Sequence, residues 1–98
     1  MATQLKSFGV WQFTDGQSSA EAREMAQRIE SLGYSALWIP EAVCRHAFVN
    51  STNLLGATER LIVATGIAGI YNRPPGVMVM GATELDELSG GRFLLGLG

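Results

Sequence analysis

Four apolar runs recur along this chain at a near-constant interval, each followed by a stretch of different spacing. They occupy residues 7–11 (SFGVW), 36–39 (ALWI), 61–67 (LIVATGI) and 92–98 (RFLLGLG). The runs are continuous rather than alternating, the pattern of strands covered on both faces, as in a parallel sheet wrapped by helices. They repeat at roughly 28 residues, the length of a βαβ unit. The fold class that follows is α/β: parallel βα units, four strands and three helices, with right-handed crossovers.

The intervening stretches carry helix signals. Ser18 and Glu21 have capping-box spacing. After them Ala22, Met25, Ala26, Ile29 and Leu32 form an apolar face, with Arg23, Glu24, Arg28 and Glu30 toward water. Gly33 stands where a left-handed C-cap belongs. A weaker helix over residues 51–60 presents Leu54, Leu55 and Ala57. Pro74 and Pro75 open a third helix, which buries Val77, Met78, Gly81, Ala82, Leu85 and Leu88 and ends at Ser89, Gly90 and Gly91. Met78 and Met80 read as helix packing.

With 98 residues the chain is one small domain, and 47% hydrophobic residues exclude a disordered one. A net charge of −2 argues against nucleic acid as a partner. The single Cys44 excludes a disulfide framework or a cysteine zinc site within one chain, so no metal is expected. The uncharged run 61–72 is too short to cross a bilayer, and the N-terminus is no secretory signal. A cytoplasmic protein without membrane partners is the default expectation. Closing an eight-fold barrel takes roughly 250 residues, so the chain is either a small open sheet or the front part of a longer protein. A half-built barrel leaves exposed edges that invite self-association.

In parallel α/β folds, function gathers at the carboxyl ends of the strands. Four segments qualify: 11–15, 41–46, 65–73 and 96–98. Glu41 is either a carboxylate in a pocket mouth or a capping acid in solvent. His46, the only histidine, has no visible partner and reads as a surface residue. Cys44 reads as a small buried hydrophobe. Gly66 and Gly69 mark a bulge, a close approach of backbone to ligand, or plain turns. Arg73 is a basic group near a helix start, fit to bind an anion, or, more commonly, a solvated charge. Gly96 and Gly98 could begin a dinucleotide-binding glycine motif, or serve close strand packing. Trp11, at a strand end, is the tryptophan placed to line a pocket.

Four stretches carry a resemblance: GYSALWIPE at 33–41, ATGIA at 64–68, RPP at 73–75, and LSGGRFLLGLG at 88–98. In this order and spacing they are similar to the N-terminal portion of the luciferase-like flavin and coenzyme F420-dependent oxidoreductases. The F420-dependent branch is resembled more than luciferase itself. The resemblance implies the first four strands and three helices of a TIM (β/α)8 barrel, with residues 1–98 the incomplete N-terminal part of a single barrel domain.

It also implies chemistry. The whole protein would transfer a hydride between F420 and an organic substrate, with an FMN-dependent monooxygenase as the alternative; this chain alone would be inactive. Relatives carry a non-proline cis peptide at the end of the third strand, where Gly66 and Ile67 stand here. Glu41 matches an acidic position that contacts the cofactor. Cofactor binding is thus expected at Glu41, Gly66 and Ile67, with Trp11 on the substrate side. The catalytic acid or base is unassigned, because Ala42 stands where some relatives have histidine. A small-molecule substrate and a second copy of the chain are the expected partners. Two rival readings are a non-catalytic barrel fragment that self-associates and an open-sheet nicotinamide nucleotide module.

Overall fold

The computed structural model describes residues 4–98. Seven elements alternate: β1 (Gly9–Trp11), α1 (Ser19–Ser31), β2 (Ala36–Ile39), α2 (Ala47–Ala57), β3 (Ile62–Thr65), α3 (Pro75–Leu88) and β4 (Phe93–Leu94). The strands form one sheet in the order β1-β2-β3-β4, every neighbouring pair parallel. Each strand therefore lies beside the next in sequence, and the carboxyl ends share one rim.

Local chemistry sets the helix boundaries. Ser18 accepts the Glu21 N–H through its hydroxyl, and the Glu21 carboxylate accepts the Ser18 N–H, so the expected capping box forms. At the other end Gly33 has φ +91°. Its N–H donates to Glu30 O while the Tyr34 N–H donates to Ile29 O, the paired bonds of a Schellman stop. Gly90 and Gly91 end α3 in the same way, donating to the carbonyls of Glu87 and Asp86.

The helices bury one side of the sheet. Leu37, Ile39 and Val63 pack with Ala22, Ala26 and Ile29 of α1, Leu54 and Leu55 of α2, and Leu85 and Phe93. Arg92 fastens the end of α2, its guanidinium donating to the carbonyls of Leu55, Thr58 and Leu61. This accounts for an arginine between the glycines and the last strand. At the strands' amino ends, the Glu30 carboxylate accepts the N–H groups of Glu59, Arg60 and Leu61. Burial pushes its carboxyl up, but those N–H groups and the Arg60 guanidinium outweigh this and hold it below the usual range.

Several expectations need correction. Helix α2 starts at Ala47 rather than residue 51, because His46 supplies a cap that helix-forming periodicity does not reveal. Leu32 and Leu88 are exposed, since one follows the last turn of α1 and the other ends α3. Val77 and Met80 also face outward, and only Met78 of the two candidate methionines packs inside. Arg23 and Glu30 turn inward, to Asn53 and to the start of β3, instead of to water. The runs at 7–11, 61–67 and 92–98 yield shorter strands: β1 begins only at Gly9, at its amino end, while after β3 and β4 side-chain and loop bonds replace the ladder at the rim.

Candidate functional site

The four candidate segments meet at the carboxyl rim. Beyond β3, the peptide between Gly66 and Ile67 is cis. The Gly66 N–H donates to Ile39 O at 2.9 Å, and the Glu41 N–H donates to Ile67 O at 3.1 Å, so β2 holds this turn from one side. The segment after β4 holds it from the other. Ala68 N–H donates to Gly96 O at 2.8 Å, Gly98 N–H to Ala68 O at 3.1 Å, and Ile70 N–H to Gly98 O at 2.8 Å. The Thr65 hydroxyl both donates to Gly96 O and accepts the Gly96 N–H, each at 2.8 Å. A Cβ on Gly96 would overlap the Thr65 carbonyl oxygen, and one on Gly98 would overlap the Ile67 side chain. Those two glycines are explained by close strand approach, and the nucleotide-motif reading has no observation behind it.

Glu41 follows Pro40 at the end of β2 and is the hub of the rim. One carboxylate oxygen accepts the Gly69 N–H at 3.0 Å and the Asn72 amide at 2.8 Å; the other accepts the Ala47 N–H at 2.7 Å and the Arg73 guanidinium. Four donors occupy the roughly four lone-pair positions of an ionised carboxylate. The Glu41 and Arg73 side chains are only 8% and 6% exposed. Burial by itself would raise the Glu41 carboxyl. Arg73, the two backbone N–H groups and Asn72 overcome this and bring it down to about 2. Glu41 is thus a fixed anion at neutral pH, with no free lone pair for proton transfer.

Arg73 is not solvated, contrary to expectation. Its guanidinium lies 5.1 Å from the centre of the Phe48 ring, and it also donates to Gly69 O at 3.4 Å. His46 caps α2: Nδ1 accepts the N–H groups of Phe48 and Val49 at 3.1 and 3.3 Å. Its Nε2 lies 3.5 Å from the Arg73 guanidinium. The histidine is a surface residue as read, but with backbone and arginine partners that no local motif announced.

The β1–α1 and β2–α2 loops are tied together by groups the motif reading passed over. Asp15 accepts the N–H groups of Val43 and Cys44, and Arg45 donates to the carbonyls of Thr14 and Gln17. Asn50 donates to the buried Thr14 hydroxyl at 2.9 Å. Cys44 is exposed, not a buried hydrophobe, because its loop lies outside the helix layer. A cleft of about 500 Å³ at the opposite, amino end of the sheet is lined by Lys6, Glu30, Tyr34, Glu59 and Arg60. Its half-buried acid, Glu30, is already spent on backbone N–H groups.

What the rim offers a ligand is mostly apolar. Trp11 is 54% exposed and Ile67 45%, with Phe13, Ile70 and Leu97 also open beside them. Trp11 and Phe13 meet edge to face at 4.8 Å. Of the rim's charged residues, Glu41 and Arg73 face each other, while Asp15 and Arg45 bond backbone groups of the loops.

Residues 5–98 match the family model for luciferase-like monooxygenases. The chain belongs to the luciferase-like monooxygenase family. One relative is 4-hydroxyprotoasukamycin monooxygenase of Streptomyces nodosus subsp. asukaensis. It is 32% identical over 84 residues, which cover 76% of this chain and 22% of the relative. Another is the 5,10-methylenetetrahydromethanopterin reductase of Methanolobus tindarius, 28% identical over 94% of this chain and 28% of its own length. Among solved structures, the coenzyme F420-dependent tetrahydromethanopterin reductase from Methanopyrus kandleri superposes with a TM-score of 0.86. It covers 97% of this chain and 27% of the reductase at 24% identity. The luciferase-like chain spans about a quarter of the length of these relatives. The family contains oxidoreductases and monooxygenases, F420-dependent members among them, and the fold is the parallel βα succession of their TIM barrels. No helix among the described residues is long and apolar enough to cross a membrane.

Proposed function

We propose that residues 1–98 form the N-terminal part of a single TIM-barrel domain in an F420-dependent oxidoreductase. Its rim, at Gly66 and Ile67, carries one face of the cofactor site. The observation that carries this reading is the open apolar surface of Trp11 and Ile67 around side-chain-free Gly66, at the carboxyl end of the sheet. A flat heterocycle fits such a surface better than a metal or a phosphate would, because Glu41 and Arg73, the charged residues beside Gly66–Ile67, are already paired with each other. The share of each relative covered, about a quarter, supports the single-domain part of the proposal.

A bound deazaflavin would supply the hydride chemistry. The chain's own residues orient and exclude water. Ile67 and Gly66 present the surface, and Glu41 serves it from beneath, its N–H on Ile67 O and its carboxylate on Gly69 N–H. Trp11 bounds the substrate side. Fixed at about 2, the Glu41 carboxyl stays charged through neutral pH, so any acid–base step belongs to another group. A cytoplasmic setting and a small organic substrate accompany this reading. Self-association accompanies it too. Helix α2 has no charged residue, and it exposes Val49 while α3 exposes Leu88.

The test is a titration of the full-length protein with F420 and, separately, FMN, following tryptophan emission. Saturable quenching by F420 at micromolar or lower concentration is expected. Tighter binding of FMN would favour the monooxygenase alternative, for which the Streptomyces relative speaks. Absence of quenching by either would overturn the reading.

A further inference from the structure

We infer that Trp11 is a positioning residue for the Gly66–Ile67 face, acting through the Gly66 carbonyl. The inference rests on the reading that this face carries the cofactor.

Strands β1 and β3 are not neighbours; β2 lies between them. No ladder bond can join them, yet the Trp11 indole crosses β2 and its Nε1–H donates to Gly66 O at 3.2 Å, over a separation of 55 residues. The reach is built in from both sides. Gln12 N–H donates to Trp38 O at 3.0 Å and anchors the backbone just after Trp11. Phe13 packs at 80° to the indole and holds its plane. On the receiving side, a Cβ on Gly66 would stand 3.2 Å from Nε1 and 3.3 Å from Cδ1 of Trp11, closer than ordinary contact. A side chain at 66 would therefore force the indole to shift by a few tenths of an ångström.

The polar groups of the turn then divide in two. Gly66 O takes the indole N–H, Ile67 O takes the Glu41 N–H, and Gly66 N–H goes to Ile39 O. Among the described residues, Ile67 N–H has no acceptor. The Gly66–Ile67 peptide plane is therefore oriented through its carbonyl by Trp11, and the N–H, which in a cis peptide lies on the same edge as that carbonyl, is left without a protein acceptor among the described residues. A tryptophan that only lined a pocket would need its ring; a positioning tryptophan needs its N–H.

Trp11→Phe separates the two, because it keeps an aromatic ring against Phe13 and removes the donor. In the full-length protein its dissociation constant for F420, read by fluorescence polarisation of F420 itself, is expected to rise about tenfold, the effect of one lost hydrogen bond. At saturation, the visible absorption band of bound F420 should move toward that of free F420. A loss of fold stability would not produce that shift, since every bound molecule is folded. Gly66→Ala, which displaces the indole while keeping it, should weaken binding in the same direction. Unchanged affinity and spectrum in Trp11→Phe, with wild type binding normally, would overturn the inference alone. Failure of the wild type to bind F420 or FMN would instead remove the reading beneath it, and the inference with it.

Discussion

Replacing Glu41 by Gln tests the hub of the rim. The change keeps size and shape but removes the charge, and it turns an amide N–H₂ toward donors. A carboxyl that titrates at about 2 instead of 4.5 has its charged form stabilised on folding by about 3 kcal/mol, at about 1.4 kcal/mol per pH unit. Breaking one side of a buried pair independently costs about 3–5 kcal/mol, because the other charge is left stranded. Glu41→Gln should therefore destabilise the full-length protein by about 3 kcal/mol near neutral pH in urea unfolding followed by circular dichroism. Arg73→Met should cost a similar amount. The double variant should cost clearly less than the sum, with a coupling of at least about 1 kcal/mol.

The sign with pH follows from the depressed value. The charged Glu41 contributes fully above its unfolded value of 4.5 and loses that contribution as pH falls toward about 2. The gap between wild type and Glu41→Gln should be level from about pH 8 to about pH 5 and then close as pH falls from 4.5 toward 2. An additive double variant, or a gap that persists unchanged to about pH 2, would refute the assignment of Glu41 as a buried, fully paired anion.

Two further outcomes follow from the rim. His46→Ala should cost about 1 kcal/mol through loss of the α2 cap, and His46→Asn should recover most of it, since Asn also accepts N–H groups at this position; urea unfolding distinguishes them. Gly96→Ala should destabilise by about 1–3 kcal/mol, because its Cβ meets the Thr65 carbonyl and nothing flexible can yield. Thermal unfolding of the variant checks this, and an unchanged melting temperature would mean that the two chain segments are not in close contact.

The division between what was legible in the chain and what was not follows the range of the interactions. The strand runs, the Ser18 and Glu21 cap, the glycine stops after α1 and α3 and the prolines opening α3 depend on groups within a few residues, so sequence alone determined them. Sequence also determined the roughly 28-residue interval, and with it a parallel sheet whose rim gathers the candidate segments. It determined the family through motifs that recur in its members. The partners across that interval belong to the tertiary structure. Glu41 finds Gly69, Asn72 and Arg73 at 28, 31 and 32 residues away. Asp15 finds Cys44 at 29, and Thr65 finds Gly96 at 31. Each pair is one βα step apart, but which side chains meet there depends on strand register and on how each loop leaves its strand. The same holds for His46, whose role as a cap appears only once the loop delivers it to α2, and for Arg73, which a local reading leaves in water. Trp11 and Gly66 stand two steps apart and meet only because the sheet curves the indole across β2. Local patterns specify elements because their groups are neighbours in the chain; the site is made of groups that become neighbours only when those elements pack.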